Sequence, residues 1–188
     1  ILSLKSTGEA RRLAERMLQA VRHESFYRSG VLSVPELAAH TVWTALEGTF
    51  AAAQPFVNED RSITLLLAGE CFPEDGELER LRARNPAAAE APGGWLMARY
   101  ETQGDRFVES LNGLFSGLLI DHRRQKVLLF NDRYGAERLY VHERNGEIYF
   151  ASEAKAILAV VPETRNFDDE GVAEFLAFGC TLAERSLF

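Results

Sequence analysis

The sequence offers two thiols for nucleophilic chemistry, Cys71 and Cys180. Cys71 is the better placed of the two, because it follows Gly69 and Glu70 at the end of an apolar run. A cysteine attacks as the thiolate, and it therefore needs a neighbouring base or a positively charged environment. The sequence around Cys71 supplies neither, so we interpret this residue as small, buried and unreactive.

The two cysteines do not form a metal-site pattern either, since no CxxC motif or histidine pair lies near them. No feature indicates a disulfide, and reduced thiols are the norm in the cytoplasm. The apolar runs fall far short of the roughly 20 residues that span a bilayer. A net charge of −7 argues against a nucleic-acid partner. We therefore expect a cytoplasmic protein that binds no metal, membrane or nucleic acid.

The elements that must position these groups begin with an amphipathic helix. Ser6 and Glu9 have the spacing of a capping box. Apolar residues then recur with helical periodicity and predict one buried stripe. Its members are Ala10, Leu13, Ala14, Met17, Leu18 and Val21.

Short apolar runs bounded by turn residues predict strands along the rest of the chain. The clearest covers residues 62–68, where continuous apolarity indicates burial on both faces. The others are predicted at 30–33, 38–43, 50–57, 116–120, 127–131, 138–142 and 147–151.

Helices are predicted between and after these strands, and their order with the strands indicates an α+β fold. Asp168 is placed to cap a helix that Gly179 ends. Residues 85–94 are rich in Ala, Pro and Gly and are predicted to form a loop. The other helices are predicted at 74–84, 95–103, 105–111 and 153–158.

Three segments in order resemble signatures of the class II glutamine amidotransferase domain of asparagine synthetases. They are Leu111–Asp121, Asn131–Tyr140 and Tyr149–Leu158, at spacing similar to that of the family. Two shorter segments resemble the family as well. Ala68-Gly69-Glu70 resembles its NGE motif, and Gln54-Pro55 resembles its QP motif. Three ordered matches are much more specific than one.

The resemblance implies an α+β, four-layer αββα sandwich of the Ntn-hydrolase, class II glutamine amidotransferase type. Residues 1–165 would form the glutaminase-like domain. Residues 166–188 would begin the linker and helix toward an absent C-terminal ATP-dependent synthetase domain. That absent domain would bind ATP and Mg, whereas no cofactor is expected in this chain.

The glutaminase chemistry of the family starts from an N-terminal cysteine, whose own α-amino group serves as the base. Position 1 is Ile1 here. Trimming of the natural N-terminus would explain this difference, so it is weak support for a loss of activity.

Replacements inside the chain are stronger support for that loss. The arginine that binds the glutamine carboxylate in the family aligns with Val42 or Trp43 here. The family's oxyanion-hole asparagine aligns with Ala68. The aspartate that holds the amino group aligns near Pro92 or Gly93. One lost charge-assisted contact costs roughly 1.5–3 kcal/mol, and one lost oxyanion donor costs about 2.7–4 kcal/mol. Together these losses would remove most glutamine recognition.

We therefore predict a catalytically degenerate, structural glutaminase-like domain with no catalytic residues of its own. Its parent would be an asparagine synthetase-type ligase that forms amide bonds from acyl-adenylates, as β-lactam synthetases and lasso-peptide cyclases do. Gly69 and Glu70 are predicted remnants of the glutamine pocket. A tight turn at Gly69 and a solvated strand end at Glu70 are the alternatives.

Ser152, Glu153 and Lys155 open a helix that in the family lies toward the synthetase domain, and we predict interdomain contacts for them. A helix N-cap is the alternative for Ser152. Asp132 and Arg133 are interpreted as a pair that stabilises a turn.

Two other functions stay open. One is the active glutaminase half of a glutamine-hydrolysing asparagine synthetase with its cysteine trimmed. The other is a stand-alone interaction module. The expected partner is the protein's own C-terminal synthetase domain, and a homodimer is an open alternative.

Overall fold

The computed structural model describes residues 7–183 and 185–187, and it confirms a mixture of helices and antiparallel strands. The α-helices of the described residues are α1 (Thr7–Val21), α2 (Glu77–Arg84), α3 (Pro86–Glu90), α4 (Gly94–Gln103), α5 (Ala154–Val160) and α6 (Asp169–Phe178). The strands are β1 (Arg28–Val34), β2 (Ala39–Ala45), β3 (Phe56–Val57), β4 (Ile63–Phe72), β5 (Asn112–Asp121), β6 (Lys126–Asn131), β7 (Tyr140–Arg144) and β8 (Glu147–Ala151). Short 3-10 helices lie at Pro35–Leu37, Phe50–Ala53, Gly104–Ser110 and Pro162–Thr164.

The central sheet has four antiparallel strands in the order β3-β4-β5-β6. Its longest pairing joins β4 and β5, from Ile63 opposite Asp121 to Phe72 opposite Asn112. Two antiparallel hairpins, β1-β2 and β7-β8, complete the strand pairings of the described residues.

Both faces of the central sheet are buried, as the apolar run at 62–68 predicts. Leu65 and Leu67 point to one side and pack with Phe115, Phe107 and Tyr100. Their neighbour Leu66 points to the other side, because side chains alternate along a strand. There it packs in a second cluster with Leu118, Ile120, Val34 and Ala39.

A third cluster joins α1 to α5. Ala14 and Met17 of α1 pack against Ala156 and Ile157 of α5 and against Tyr149 of β8. This contact confirms the predicted buried stripe of α1. The capping box predicted at Ser6 lies outside the described residues.

The predicted secondary structure was wrong in two segments. Residues 50–57 were expected to form a strand, but Phe50–Ala53 is a 3-10 helix and only Phe56–Val57 pairs in the sheet. The loop expected at 85–94 contains α3, because Pro86 occupies its first turn and the Asn85 side chain accepts a hydrogen bond from the Ala88 amide.

The helix-end predictions for α6 were confirmed. The Asp168 carboxylate accepts a hydrogen bond from the Gly171 amide, and Gly179 ends the helix in the left-handed conformation. Asn145 and Gly146 both have positive φ between β7 and β8, as a tight two-residue hairpin turn requires.

Candidate functional site

A cavity of about 160 Å³ lies between the inner face of β4-β5 and the strands β2 and β8. Leu66 and Ala68 of β4 line one side, and Val42 and Trp43 of β2 line the other. Met17 of α1 is also part of the wall. The central sheet, a hairpin strand and a helix therefore enclose one space.

The three motif segments of the sequence all reach this cavity. Ser116 comes from the first segment, Leu139 from the second, and Ala151 and Ser152 from the third. A larger groove of about 710 Å³ runs between the β3-β4 connection and α2–α4, but none of the three motifs lines it. We therefore place the candidate site at the smaller cavity.

The described residues that line the cavity carry no formal charge. Val42, Trp43 and Ala68 all belong to the wall, so two of the three replacements predicted from the sequence lie at the cavity. Gly93 lies elsewhere, against the ring of Phe56, where an added Cβ would come within 2.8 Å of the ring.

The polar groups at the cavity are neutral. Gln54 is 8% exposed, and its side-chain oxygen accepts a hydrogen bond of 2.9 Å from the Leu67 amide. The hydroxyl oxygens of Thr41 and Thr44 are buried and have no hydrogen-bond partner among the described residues. The sequence pointed to Gln54 only through its QP resemblance, and it gave no signal for the two threonines.

Gly69 and Glu70 continue β4 beyond the cavity wall. Gly69 has a φ of +84° within the strand, so the expected tight turn at this position is wrong. An added Cβ there would collide with the Leu114 carbonyl oxygen and lie 2.8 Å from Cγ of Glu137, which explains the glycine. Glu70 is exposed. Their role as a residual glutamine pocket stays a prediction.

Asp132 organises the loop between β6 and β7. Its carboxylate accepts hydrogen bonds from the amides of Tyr134 (2.9 Å), Ala136 (3.1 Å) and Glu137 (2.8 Å). The hydrogen bond from Glu137, with those from Ala136 and Tyr134, outweighs the effect of burial and lowers the pKa of Asp132. The turn-stabilising interpretation is thus confirmed for Asp132, whereas Arg133 is exposed.

The predicted interdomain residues lie at the start of α5. Ser152 is exposed and borders the cavity, but Glu153 holds the N-cap position, so the N-cap alternative for Ser152 is wrong. Glu153 forms a hydrogen bond of 3.0 Å with Nε2 of His23 and an ion pair of 3.0 Å with Lys155. Burial raises the pKa of Glu153, but the hydrogen bonds from His23 and Lys155 lower it by more.

Cys71 packs against the core cluster on the outer face of the sheet, on the opposite side from the cavity. Burial raises the pKa of its thiol to about 12, although the charge of Arg99 opposes this shift. The thiol is therefore protonated at neutral pH, in line with the unreactive interpretation.

The described residues contain no group of three or more metal-ligating side chains placed to hold an ion. Within the same part of the chain, none of the helices is both long and apolar enough to cross a membrane.

The fold and the cavity together define a mixed α and β domain in which three ordered motifs reach one cavity, and the described residues of its wall carry no formal charge. The family model described as a glutamine amidotransferase domain matches residues 1–188. The chain therefore belongs to the glutamine amidotransferase domain family, and the resemblance to asparagine synthetase-related proteins is confirmed.

Curated relatives include several asparagine synthetases. Glutamine-hydrolyzing asparagine synthetase 2 of Bacillus subtilis is 33% identical over 106 residues, which cover 56% of this chain and 14% of the relative. A probable asparagine synthetase of Dictyostelium discoideum is 28% identical over 82% of this chain and 28% of its own length. Asparagine synthetase B of Escherichia coli is 24% identical over 85% of this chain and 29% of its own length. The chain thus spans less than a third of these relatives.

Proposed function

We propose that this chain is a glutaminase-like domain that has lost glutamine hydrolysis and serves as a structural part of an ATP-dependent amide-forming enzyme. Its parent would resemble β-lactam synthetases or lasso-peptide cyclases, in which an amine of the substrate takes the place of ammonia. The observation that carries this proposal is the absence of charge among the described residues of the cavity wall.

The physical reason lies in the charges of the amino acid. Free glutamine at neutral pH carries a carboxylate and an ammonium group. Moving either ion out of water costs several kcal/mol unless an opposite charge or good hydrogen bonds repay it. Val42, Trp43 and Ala68 offer no opposite charge, and Gln54 already accepts a hydrogen bond from Leu67 with its side-chain oxygen.

The proposed architecture is the four-layer αββα sandwich of the Ntn type. Three packing observations support it: a core cluster on the outer face of the central sheet, a second cluster on its inner face, and a third between β8 and the pair α1–α5.

The proposed partner is a synthetase domain of the same polypeptide, which would bind ATP and Mg and work in the cytoplasm. Ser152 is exposed at the cavity, Lys155 is exposed in the first turn of α5, and both are available for contact with that domain. The hydrogen bond of Glu153 with His23 and its ion pair with Lys155 would orient that edge.

The test is glutamate release from glutamine by the natural polypeptide, with ATP-dependent pyrophosphate release as the control for a working synthetase domain. We expect pyrophosphate release with the amine substrate and no glutamate above the uncatalysed background. Glutamate release at about 1 s⁻¹ or faster, within the ordinary range of enzymes, would overturn the proposal.

The second candidate is an active glutaminase. The observation in its favour is that the named relatives from B. subtilis and E. coli are described as glutamine-hydrolyzing. It predicts a cysteine as the first residue of the mature natural polypeptide and glutamate release that is lost when this cysteine becomes alanine.

A further inference from the structure

A groove of about 710 Å³ lies on the outer side of the central sheet, and we call it the outer groove. The β3-β4 connection forms one wall, and α2, α3 and α4 form the other. Met97 lines the groove and belongs to the core cluster on the outer face of the sheet, so the sheet separates this groove from the inner cavity. Its volume falls in the range of roughly 300–1,000 Å³ that is typical of small-molecule sites.

The floor of the outer groove is apolar and is built largely from small side chains. Leu81 of α2 and Met97 of α4 are 6% and 2% exposed, so they lie beneath the opening. At Gly94 an added Cβ would collide with the Ala88 carbonyl oxygen, so the glycine permits α3 and α4 to approach closely. The small residues at the groove are Ala87, Ala88, Ala91, Gly94 and Ala98. Covering such a floor with an apolar ligand is favourable, because apolar surface then leaves water.

Carboxylates stand at the wall formed by the β3-β4 connection and the end of α4. Glu59 and Asp60 belong to the connection, and Glu101 belongs to α4. The Asn58 side-chain nitrogen donates a hydrogen bond of 2.9 Å to Oε1 of Glu101, and the Asn58 side-chain oxygen accepts one of 2.8 Å from the Ile63 amide. Because Asn58 is itself fixed by the backbone, it holds the Glu101 carboxylate in place.

The charges at the outer groove do not balance. Asp60 is engaged by Arg123 and by the Ser62 amide. Glu59 is exposed, and it has no ion pair or side-chain hydrogen bond in the part of the chain that the structure describes. Arg84, in the last turn of α2, is the one basic side chain among the described lining residues. The groove therefore presents more negative than positive charge and attracts cations.

We propose that the outer groove binds a small organic cation, in which an ammonium or guanidinium group is attached to an apolar body. The apolar body covers Leu81 and Met97, and the cation lies beside Glu59 and Glu101. The cation donates charge-assisted hydrogen bonds to these carboxylates, and a neutral ligand of the same shape forms weaker ones. A carboxylate ligand would meet like charges at the same place. The inference does not depend on the proposed function, which concerns the inner cavity.

The experiment titrates the natural polypeptide, labelled at its alanine methyl groups for NMR, with hexylamine, hexanol and hexanoate. The three probes share one apolar chain and differ in charge. Hexylamine should shift the methyl signals of the groove alanines in a saturable way, with a Kd of about 1 mM or lower. Hexanol should bind about two- to fivefold more weakly, as expected for exposed charge contacts, and hexanoate more weakly still. Ala68 and Ala151 line the inner cavity, so their signals are the internal control and should not move.

Substitutions test the carboxylates and the floor separately. Glu101→Gln should weaken hexylamine binding about two- to fivefold and leave hexanol binding unchanged. Glu79→Gln is the matched control, because Glu79 is exposed on α2 outside the groove, and it should change neither affinity. Ala98→Leu adds volume to the floor and should weaken hexylamine and hexanol binding alike. In each variant, unchanged signals of Ala68 and Ala151 show that the fold is intact.

Three outcomes would overturn the inference. The first is no saturable shift of the groove alanines by hexylamine up to about 10 mM, tenfold above the expected upper limit of Kd. The second is equal affinity for hexylamine and hexanol, which would reduce the groove to a site of adventitious apolar binding. The third is tighter binding of hexanoate, which would assign the groove to anions held by Arg84.

Discussion

The two faces of the β4-β5 pair differ in how closely their side chains are packed. On the outer face, Leu65 and Phe115 are 0% and 2% exposed and belong to a cluster rich in aromatic rings. On the inner face, Ala68 borders a cavity of about 160 Å³. The residues that we align with the family's glutamine contacts, Val42 or Trp43 and Ala68, lie at that cavity. The outer face thus has a close-packed aromatic cluster, which we expect to hold the framework, whereas the inner face combines a smaller core cluster with a cavity.

The largest expected effect comes from opening the outer face. Phe115→Ala should lower the free energy of unfolding by about 3–5 kcal/mol, because it removes a buried ring and leaves a cavity. Its neighbour Leu114 is 53% exposed, so Leu114→Ala is the matched control and should cost less than about 1 kcal/mol. Urea denaturation followed by circular dichroism measures both. Equal costs would show that the outer face is not the framework.

The reactivity of the two cysteines tests burial on the same face. The pKa of Cys71 is raised from 9.0 to about 12, so its thiolate fraction at neutral pH falls roughly a thousandfold. Cys180 is exposed and serves as the internal control. Iodoacetamide at pH 7, followed by mass spectrometry, should label Cys180 and leave Cys71 unmodified. Preferential labelling of Cys71 would contradict the tight packing of the outer face.

The loop between β6 and β7, beside the inner face, is stabilised by the charge of Asp132, and the pH dependence of stability tests this. Because its folded-state pKa lies below the ordinary value of 3.8, the ionised carboxylate stabilises the fold above that pH. This stabilisation is lost as pH falls through the folded pKa. Asp132→Asn should therefore unfold at a lower urea concentration than the natural sequence at pH 7, and the difference should shrink below about pH 4. A difference that stays constant with pH would exclude the carboxylate as the cause.

The smallest effect is expected at the cavity wall. The buried Thr41 hydroxyl has no hydrogen-bond partner among the described residues, so Thr41→Val removes a polar group that costs free energy to bury. The variant should be as stable as the natural sequence or more stable by up to about 1 kcal/mol. Thermal unfolding measures this change. A loss of more than about 1 kcal/mol would mean that the hydroxyl makes a stabilising contact.

Much of the fold could be predicted from local sequence. Apolar periodicity alone predicts the buried stripe of α1 and the strand at 62–68. Capping residues alone predict the two ends of α6, at Asp168 and Gly179. The structure of residues 50–57 could not be predicted in this way. Their conformation depends on the hydrogen bond between the Gln54 side chain and the Leu67 amide, which joins residues that are distant in sequence.

The candidate site, like the fold, could be predicted only in part. The residues that we align with the family's glutamine contacts, Val42 or Trp43 and Ala68, could be selected because the chain resembles the family over nearly its whole length. The burial of the Thr41 and Thr44 hydroxyls and the hydrogen bond between His23 and Glu153 could not be predicted, because they arise only when distant segments pack together.

The central claim is that the inner face no longer binds glutamine, and binding can be measured without any nucleophile. Equilibrium dialysis of labelled glutamine against the 188-residue chain, up to about 10 mM and thus above the usual range of substrate KM values, measures it directly. We predict no saturable binding. Saturable binding with a Kd below about 1 mM would contradict the account, because it would require charged contacts that the described cavity wall does not have.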